Sequence, residues 1–288
     1  MFRYISYICL FLLSLFFLNV PSRAQWWAQN DYSWGSGYSK ESLSIFRAIS
    51  TSTVISINGT FYKRDSSMGP EEIYSAKLPI LYSAPFYFIS FTPFYYPEKE
   101  GNYAMGGKLY YMKSLGIDSD EDYTHLILTA AGAGQKAKVL VDSATKKKSF
   151  YLSSFEIQIE RNYYDLFFFL ASACIFHNFS DIDSSGLLFS SLDLNDMAFM
   201  GTYTSINRIP LWTANFQFAR NIGDDKTTYL YVGGGRIKLD NYPDPTTATI
   251  GTRTRLSPKS SFDFGYNWLK YDGTKARNYY KLYLQVFF

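Results

Sequence analysis

The feature that most constrains this chain is a pattern repeated between residues 40 and 288. Stretches of about ten residues, in which apolar and polar side chains alternate, are separated by polar breaks rich in Gly, Pro, Asp or Asn. Successive side chains of a strand point to opposite faces, so each stretch predicts a β-strand with one apolar and one polar face. The pattern predicts an all-β chain whose two surfaces meet different environments.

Helices cannot carry this part of the chain across a membrane. Its longest apolar run, residues 166–176, is about half of the roughly 20 residues that a spanning helix needs, but it is long enough for a spanning strand. A sheet that crosses a bilayer must close so that no edge leaves backbone groups unpaired. We therefore predict a single closed antiparallel transmembrane β-barrel of about 14 strands, with 12 to 16 open because such barrels have even strand counts.

The last predicted strand, residues 278–288, has a wholly apolar face and finishes on an aromatic residue. It resembles the closing strand of Gram-negative bacterial outer-membrane β-barrels, in which a final Phe preceded by alternating apolar residues is the signal for assembly. The resemblance implies insertion into the outer membrane, contact with its lipid and recognition by the barrel-assembly machinery. The residues that would form this assembly signal are Tyr280, Leu282, Leu284, Val286 and Phe288.

The amino-terminal residues predict export. Residues 1–24 contain a basic start, an apolar run at residues 4–20 and small residues before a cleavage site after Ala24, as a secretory signal peptide does. The alternative is an uncleaved anchor, for which the run is short. We expect a lead-in segment at residues 25–39, tucked into the lumen or capping the periplasmic rim, and the barrel at residues 40–288.

The alternative to a transmembrane barrel is a soluble periplasmic β-sandwich that follows the signal peptide.

Charged side chains predict which face of each strand is inside, because an Arg on the lipid face near mid-bilayer costs roughly 2 to 4 kcal/mol. Arg253 and Arg255 then point inward, and the next hairpin brings Asp263 within cross-strand reach of one of them. Bulges at residues 153–154 and 233–235 are predicted because they keep the apolar side chains outward. The predicted lumen-lining residues are Arg253, Arg255, Asp263, Asn267, Asn215, Gln217, Glu156, Glu160, Arg236 and Lys238.

Few residues indicate other chemistry. His177 precedes Ser180 and Asp181 in an arrangement that a hydrolase could use, but a rim histidine without a catalytic role is the commoner case. Asp181 and Asp183 resemble the opening of a calcium loop, yet Leu192 stands where the closing Glu should be. We therefore predict no catalytic residues, no metal and no cofactor.

The predicted lumen decides the expected function. Eight-stranded barrels are filled by their own side chains, whereas barrels of sixteen or more strands leave a water channel. We expect an outer-membrane porin-like channel, not an enzyme, for passive diffusion of small hydrophilic solutes through a polar bore. The alternatives are a structural or surface-binding barrel with a closed lumen and, ranked third, an outer-membrane hydrolase. A formal net charge of +3 does not indicate nucleic-acid binding.

Overall fold

The described part of the chain consists almost entirely of antiparallel strands. The computed structural model describes residues 25–66, 69–99, 101–119, 122–141, 144–179, 187–190, 192–204, 206, 208–223, 227–257 and 259–288; the predicted signal peptide, residues 1–24, lies outside them. The strands are β1 (Trp26–Gly35), β2 (Tyr38–Ala48), β3 (Thr53–Ser66), β4 (Gly69–Lys77), β5 (Ile80–Ala84), β6 (Tyr87–Lys99), β7 (Asn102–Ser119), β8 (Asp122–Val141), β9 (Ala144–Tyr163), β10 (Phe167–Asn178), β11 (Leu187–Phe189), β12 (Pro210–Asn221), β13 (Thr228–Leu239), β14 (Pro245–Ser257), β15 (Ser260–Tyr271) and β16 (Arg277–Phe287).

These strands form a closed barrel whose wall has 14 positions, which confirms the predicted fold and strand count. β4 and β5 share one position between β3 and β6, interrupted at Leu78 and Pro79, where proline has no N–H to donate to the ladder. β11 is an extra strand that pairs only with the end of β8. Pairing of β1 with β16 closes the wall, which leaves no free edge in the ring.

The first wall strand corrects the predicted domain boundary. β1 pairs with β2 on one side and with β16 on the other, with Trp27 opposite Phe287 and Gly35 opposite Tyr279. Residues 26–35 are therefore part of the wall, and the predicted separate lead-in at residues 25–39 is wrong. The short stretch of alternation in β1 was hidden by its Gly, Ser and Asn content, which is typical of loops.

The outward face of the wall is an apolar belt. In β12, Trp212, Phe216 and Phe218 are exposed, whereas Thr213 and Asn215 between them are buried. Similar outward side chains occur around the ring, so a contiguous apolar surface surrounds the barrel, as a lipid-facing wall requires. The other members of this belt include Ile57, Phe91, Leu109, Ile157, Phe169, Leu230, Val232, Ile250, Phe264 and Leu284.

Both predicted bulges are wrong. β9 pairs with β8 and β10 in an unbroken register through Ser153 and Ser154, and β13 pairs with β12 and β14 in an unbroken register through residues 233–235. Consequently Phe150 and Leu152 point inward, where both are buried. The bulges were predicted because a water-filled bore would expose such apolar side chains. The bore next to them is instead filled by protein.

Two further stretches do not separate wall strands. Residues 131–134 lie inside the 20-residue strand β8. Residues 194–197 belong to the connection between β10 and β12, which contains a 3-10 turn at Leu194–Asp196. That connection, residues 179–209, starts at the end of the barrel away from the chain termini. We call this end the loop end and the opposite one the terminal end.

Candidate functional site

Part of the connection between β10 and β12 lies in the bore. We call residues 187–209 the inner segment; its described residues contact inward-facing side chains on well-separated wall strands. Among these are Lys40 on β2, Tyr96 on β6 and Asn267 on β15. Contacts with several sides of the ring place the described residues of the inner segment across the lumen, in its loop-end half.

An apolar core joins the inner segment to the wall. Met197 and Met200 are fully buried, and they belong to one cluster with the inward side chains that the predicted bulges had turned outward. Burial of this kind contributes about 1.5 to 3 kcal/mol for each large side chain. The other members from the inner segment are Leu187, Leu192, Leu194, Ala198, Ile206 and Ile209; those from the wall include Phe150, Leu152, Phe176, Ile237 and Leu239.

Lysine side chains bind the acidic turn of the inner segment. Lys40 Nζ lies 2.6 Å from Asp193 Oδ2, and Lys77 pairs with Asp196, which also accepts a hydrogen bond from Tyr96. Asp193 Oδ1 accepts a hydrogen bond from the N–H of Asn195, so the same residue caps the 3-10 turn. Burial alone would raise the pKa of Asp193, but the nearby Lys40 ammonium outweighs it and places this pKa below its usual range.

Polar groups elsewhere on the wall bind the next residues. The N–H of Phe199 donates to both carboxylate oxygens of Glu156, each at 3.2 Å, and its carbonyl accepts from Asn215 at 2.7 Å. Asn267 donates to the carbonyl of Gly201 at 3.2 Å and accepts from Thr202 at 3.0 Å. The inner segment is therefore bound on both sides, by charged pairs on one and by hydrogen bonds on the other.

Glycines on the wall make room for a tyrosine pair. The hydroxyls of Tyr203 and Tyr231 are 3.1 Å apart, and Tyr231 donates to Asp263 at 2.7 Å. A Cβ atom on Gly265 would overlap both hydroxyls, and one on Gly251 would overlap the ring of Tyr231. Burial raises the pKa of Tyr203, so its hydroxyl stays protonated and can donate. The two glycines thus form a recess that fits the docked segment.

Cavities remain beside the inner segment on its terminal-end side. One of about 310 Å³ is lined by Asn195 and Tyr203 of the inner segment and by Lys40, Arg253 and Lys281 of the wall, together with other residues. A second, of about 340 Å³, includes Glu160 and Asp165 and shares Gln217, Tyr231 and Arg253 with the first. Both volumes lie at the small end of the range for ligand pockets.

Eight of the ten predicted lumen residues lie on inward faces. The predicted pair is confirmed: Arg253 lies opposite Asp263, and its Nε and Nη2 donate to Asp263 Oδ2 at 3.2 and 3.1 Å. Asp263 and Asn267 are buried against the inner segment and its neighbours, not exposed to an open bore. The inward residues are Arg253, Arg255, Asp263, Asn267, Asn215, Gln217, Glu156 and Glu160; whether they contact a passing solute stays a prediction.

Arg236 and Lys238 are corrections. The unbroken register of β13 puts them on the same face as Val232, which belongs to the apolar belt, and not in the lumen. They lie near the loop end, where Lys238 Nζ is 3.1 Å and Arg236 Nη2 is 3.8 Å from Asp244 Oδ2. At this rim an outward cation costs little, because the cost falls toward the membrane interface.

The residues considered for other chemistry form no site in the described structure. His177 is exposed on the outer face, where its ring meets Phe179 edge to face. Ser180, Asp181 and Asp183 lie outside the described residues. The described residues contain no group of three or more His, Cys, Asp or Glu side chains that could bind a metal ion. In that part of the chain, no helix has the length and apolar character to span a membrane.

The terminal strand has the predicted alternation. Tyr280 and Leu284 are exposed on the outer face of β16, and Lys281 points inward to within 3.6 Å of Asp31. The N–H of Phe288 donates to the carbonyl of Trp26 at 2.9 Å, so the end of the chain continues the ladder to β1. That these residues act as an assembly signal stays a prediction.

Two solved structures with similar architecture were found by structural comparison. The CymD monoaromatic hydrocarbon channel superposes with a TM-score of 0.56 at 11% identity, over 92% of this chain and 88% of that one. CdiB from Acinetobacter baumannii superposes with a TM-score of 0.50 at 10% identity, over 94% of this chain and 61% of CdiB. No protein-family model and no curated protein sequence matches the chain. At these identities the likeness concerns the fold alone, which is a closed antiparallel β-barrel with a 14-position wall.

Proposed function

We propose that this chain is a gated channel of the bacterial outer membrane for small hydrophilic solutes, in which the inner segment is the gate. The observation that carries this proposal is that the inner segment fills the loop-end half of the bore through non-covalent contacts that include two charged pairs. Replacing a buried charged pair by apolar residues is often neutral or stabilising. Such pairs would therefore add little stability to a segment that stays docked permanently. In a segment that must undock, the same charges become solvated by water, which favours its release.

The wall supports the proposed location. The apolar belt would contact outer-membrane lipid, and the terminal strand would be recognised by the barrel-assembly machinery after export through a cleaved signal peptide. With the termini on the periplasmic side, the cavities lined by Arg253 and Glu160 face the periplasm and the docked segment faces the outside. Solutes would cross when the inner segment moves aside.

A closed structural barrel is the second candidate. It is favoured by the apolar core between the inner segment and the wall, in which Met197 and Met200 are fully buried. Such a core packs as densely as the interior of a soluble domain and by itself gives no reason for movement. The charged pairs and the adjoining cavities favour the gated channel over this alternative.

Conductance distinguishes the two. Refolded protein is inserted into planar bilayers beside a variant in which residues 187–209 are replaced by a short Gly/Ser linker. Heat-modifiable migration on gels shows that both wall structures are folded. We expect brief, infrequent openings for the natural chain and a steady conductance for the variant. A folded variant without conductance would leave the structural barrel as the better account.

A further inference from the structure

Three lysines form a basic arc on the wall beneath the inner segment. These are Lys40 on β2, Lys77 on β4 and Lys108 on β7, which we call the lysine arc. Lys40 and Lys77 pair with Asp193 and Asp196. Lys108 makes no hydrogen bond or salt bridge to any described residue, and its electrostatic partners are Asp196 and Glu156.

The lysine arc is not neutralised by the wall itself. Three other inward cations have inward acidic partners on neighbouring strands: Arg253 pairs with Asp263, Lys281 with Asp31 and Arg64 with Glu71. Glu156 faces the arc, but its carboxylate already accepts two hydrogen bonds from the inner segment. The two carboxylates that balance the arc therefore come from the inner segment.

Those two carboxylates belong to a compact group. Asp193 caps one 3-10 turn and Asp196 is the last residue of that turn. Both side chains pair with lysines of the same arc, where their exposed fractions are 2% and 9%. When the inner segment leaves, the arc loses Asp193 and Asp196, and three ammonium groups then face the bore with Glu156 as the wall carboxylate that still faces them. Fixed cations lining a narrow bore favour anions.

The cavity beside the arc gives a solute access to it. Lys40 lines the cavity of about 310 Å³ together with Lys281 and Arg253, so an anion in this cavity meets Lys40 while Asp193 is still bound to it. A small molecule with two carboxylates carries the same groups as the turn. It can compete for Lys40 first and then for Lys77.

We propose that the solutes of this channel are small organic anions with two carboxylates, and that they open it by displacing Asp193 and Asp196 from the lysine arc. This proposal rests on the proposed gated channel. In the closed state, the carboxylates of Asp193 and Asp196 occupy the lysine arc, which is the site that the solute would bind. A ligand that binds only the undocked state shifts the equilibrium toward it by its affinity for that state.

Binding can be measured without relying on conductance. Succinate is titrated calorimetrically into the refolded full-length protein, with succinamide, its neutral analogue, as the control. We expect succinate but not succinamide to bind. Replacing Asp193→Asn and Asp196→Asn together removes the competitor and should tighten succinate binding, whereas Lys40→Gln with Lys77→Gln should abolish it. Unchanged affinity in the aspartate variant, or equal binding of succinamide, overturns the proposal.

Conductance then separates this inference from the gated channel itself. In a KCl gradient the reversal potential of open bursts should indicate anion preference, and Lys108→Gln should shift it toward the cation side. Succinate should raise the open probability of the natural chain, and succinamide should not. If the channel conducts but prefers cations, and succinate does not change its open probability, the inference about dicarboxylates is refuted while the proposed gate is not. A folded barrel that never conducts, even without residues 187–209, refutes the gate instead.

Discussion

The charge of Asp193 should control how often the channel opens. The variant Asp193→Asn keeps the oxygen that caps the 3-10 turn but loses the charge that Lys40 binds at 2.6 Å. Removing one partner of a buried ion pair costs about 3 to 5 kcal/mol. Lys40 is 17% exposed and borders a cavity, so water offsets part of this cost and the lower figure applies.

A cost of about 3 kcal/mol shifts the ratio of open to closed states by about a hundredfold. Single-channel recording in planar bilayers measures this ratio directly as the open probability. Asp244→Asn is the matched control, because Asp244 is also an acidic partner in ion pairs, with Lys238 and Arg236, but at the outer rim. An open probability that is equal in Asp193→Asn, Asp244→Asn and the natural chain would refute the role given to this pair.

Three further predictions concern the recess, the bore and the terminal strand. Gly265→Ala should displace Tyr203 at an overpacking cost of about 1 to 3 kcal/mol and raise the open probability roughly tenfold. Gly59→Ala is the control and should leave the open probability unchanged, because Gly59 has open space around it. Equal effects of the two variants in single-channel recordings would count against the recess. Arg253→Gln should move the reversal potential toward cations, and Arg236→Gln, on the outer face, should leave it unchanged; the opposite order would overturn the assignment of faces. Deleting Phe288 should lower the amount of heat-modifiable barrel in outer-membrane fractions, and normal amounts would refute the assembly signal.

The wall could be predicted from the sequence because each strand has a local signal. Alternation of Trp212, Phe216 and Phe218 with Thr213 and Asn215 needs no knowledge of distant residues. Charges such as Arg253 then decide which face is inside. These local rules were enough for the number of strands and for the pair between Arg253 and Asp263.

The filled bore could not be predicted in this way, because it depends on contacts between distant parts of the chain. Phe150 and Leu152 point inward, into one buried cluster that includes Met197 of the inner segment. For a water-filled lumen, the alternation of apolar and polar residues predicted that both side chains point outward and that a bulge follows them. The same assumption led to the wrong prediction that Arg236 and Lys238 line the lumen, because it required a bulge at the glycines of residues 233–235 in β13.

One signal in the sequence could have pointed to the inner segment. Residues 187–209 are too long for a turn, and they combine apolar residues with Asp193 and Asp196 around a capped 3-10 turn. The positive charges on the wall that face these two aspartates are the inward lysines Lys40, Lys77 and Lys108. Only the register of the strands shows that these lysines share one side of the bore.

A reversible lock on the inner segment tests the central claim most directly. Thr202 Oγ1 and Asn267 Oδ1 lie 3.0 Å apart across the boundary between segment and wall. Cysteines at both positions, with Cys174→Ala, can therefore be joined by a short bifunctional thiol reagent that a reductant cleaves. The control is a cysteine pair at Ser42 and Thr60, which are 3.0 Å apart within the wall. Single-channel recording should show no openings of the Thr202–Asn267 pair until a reductant is added, and unaltered openings of the control throughout. Openings that persist while the segment is locked would contradict the account.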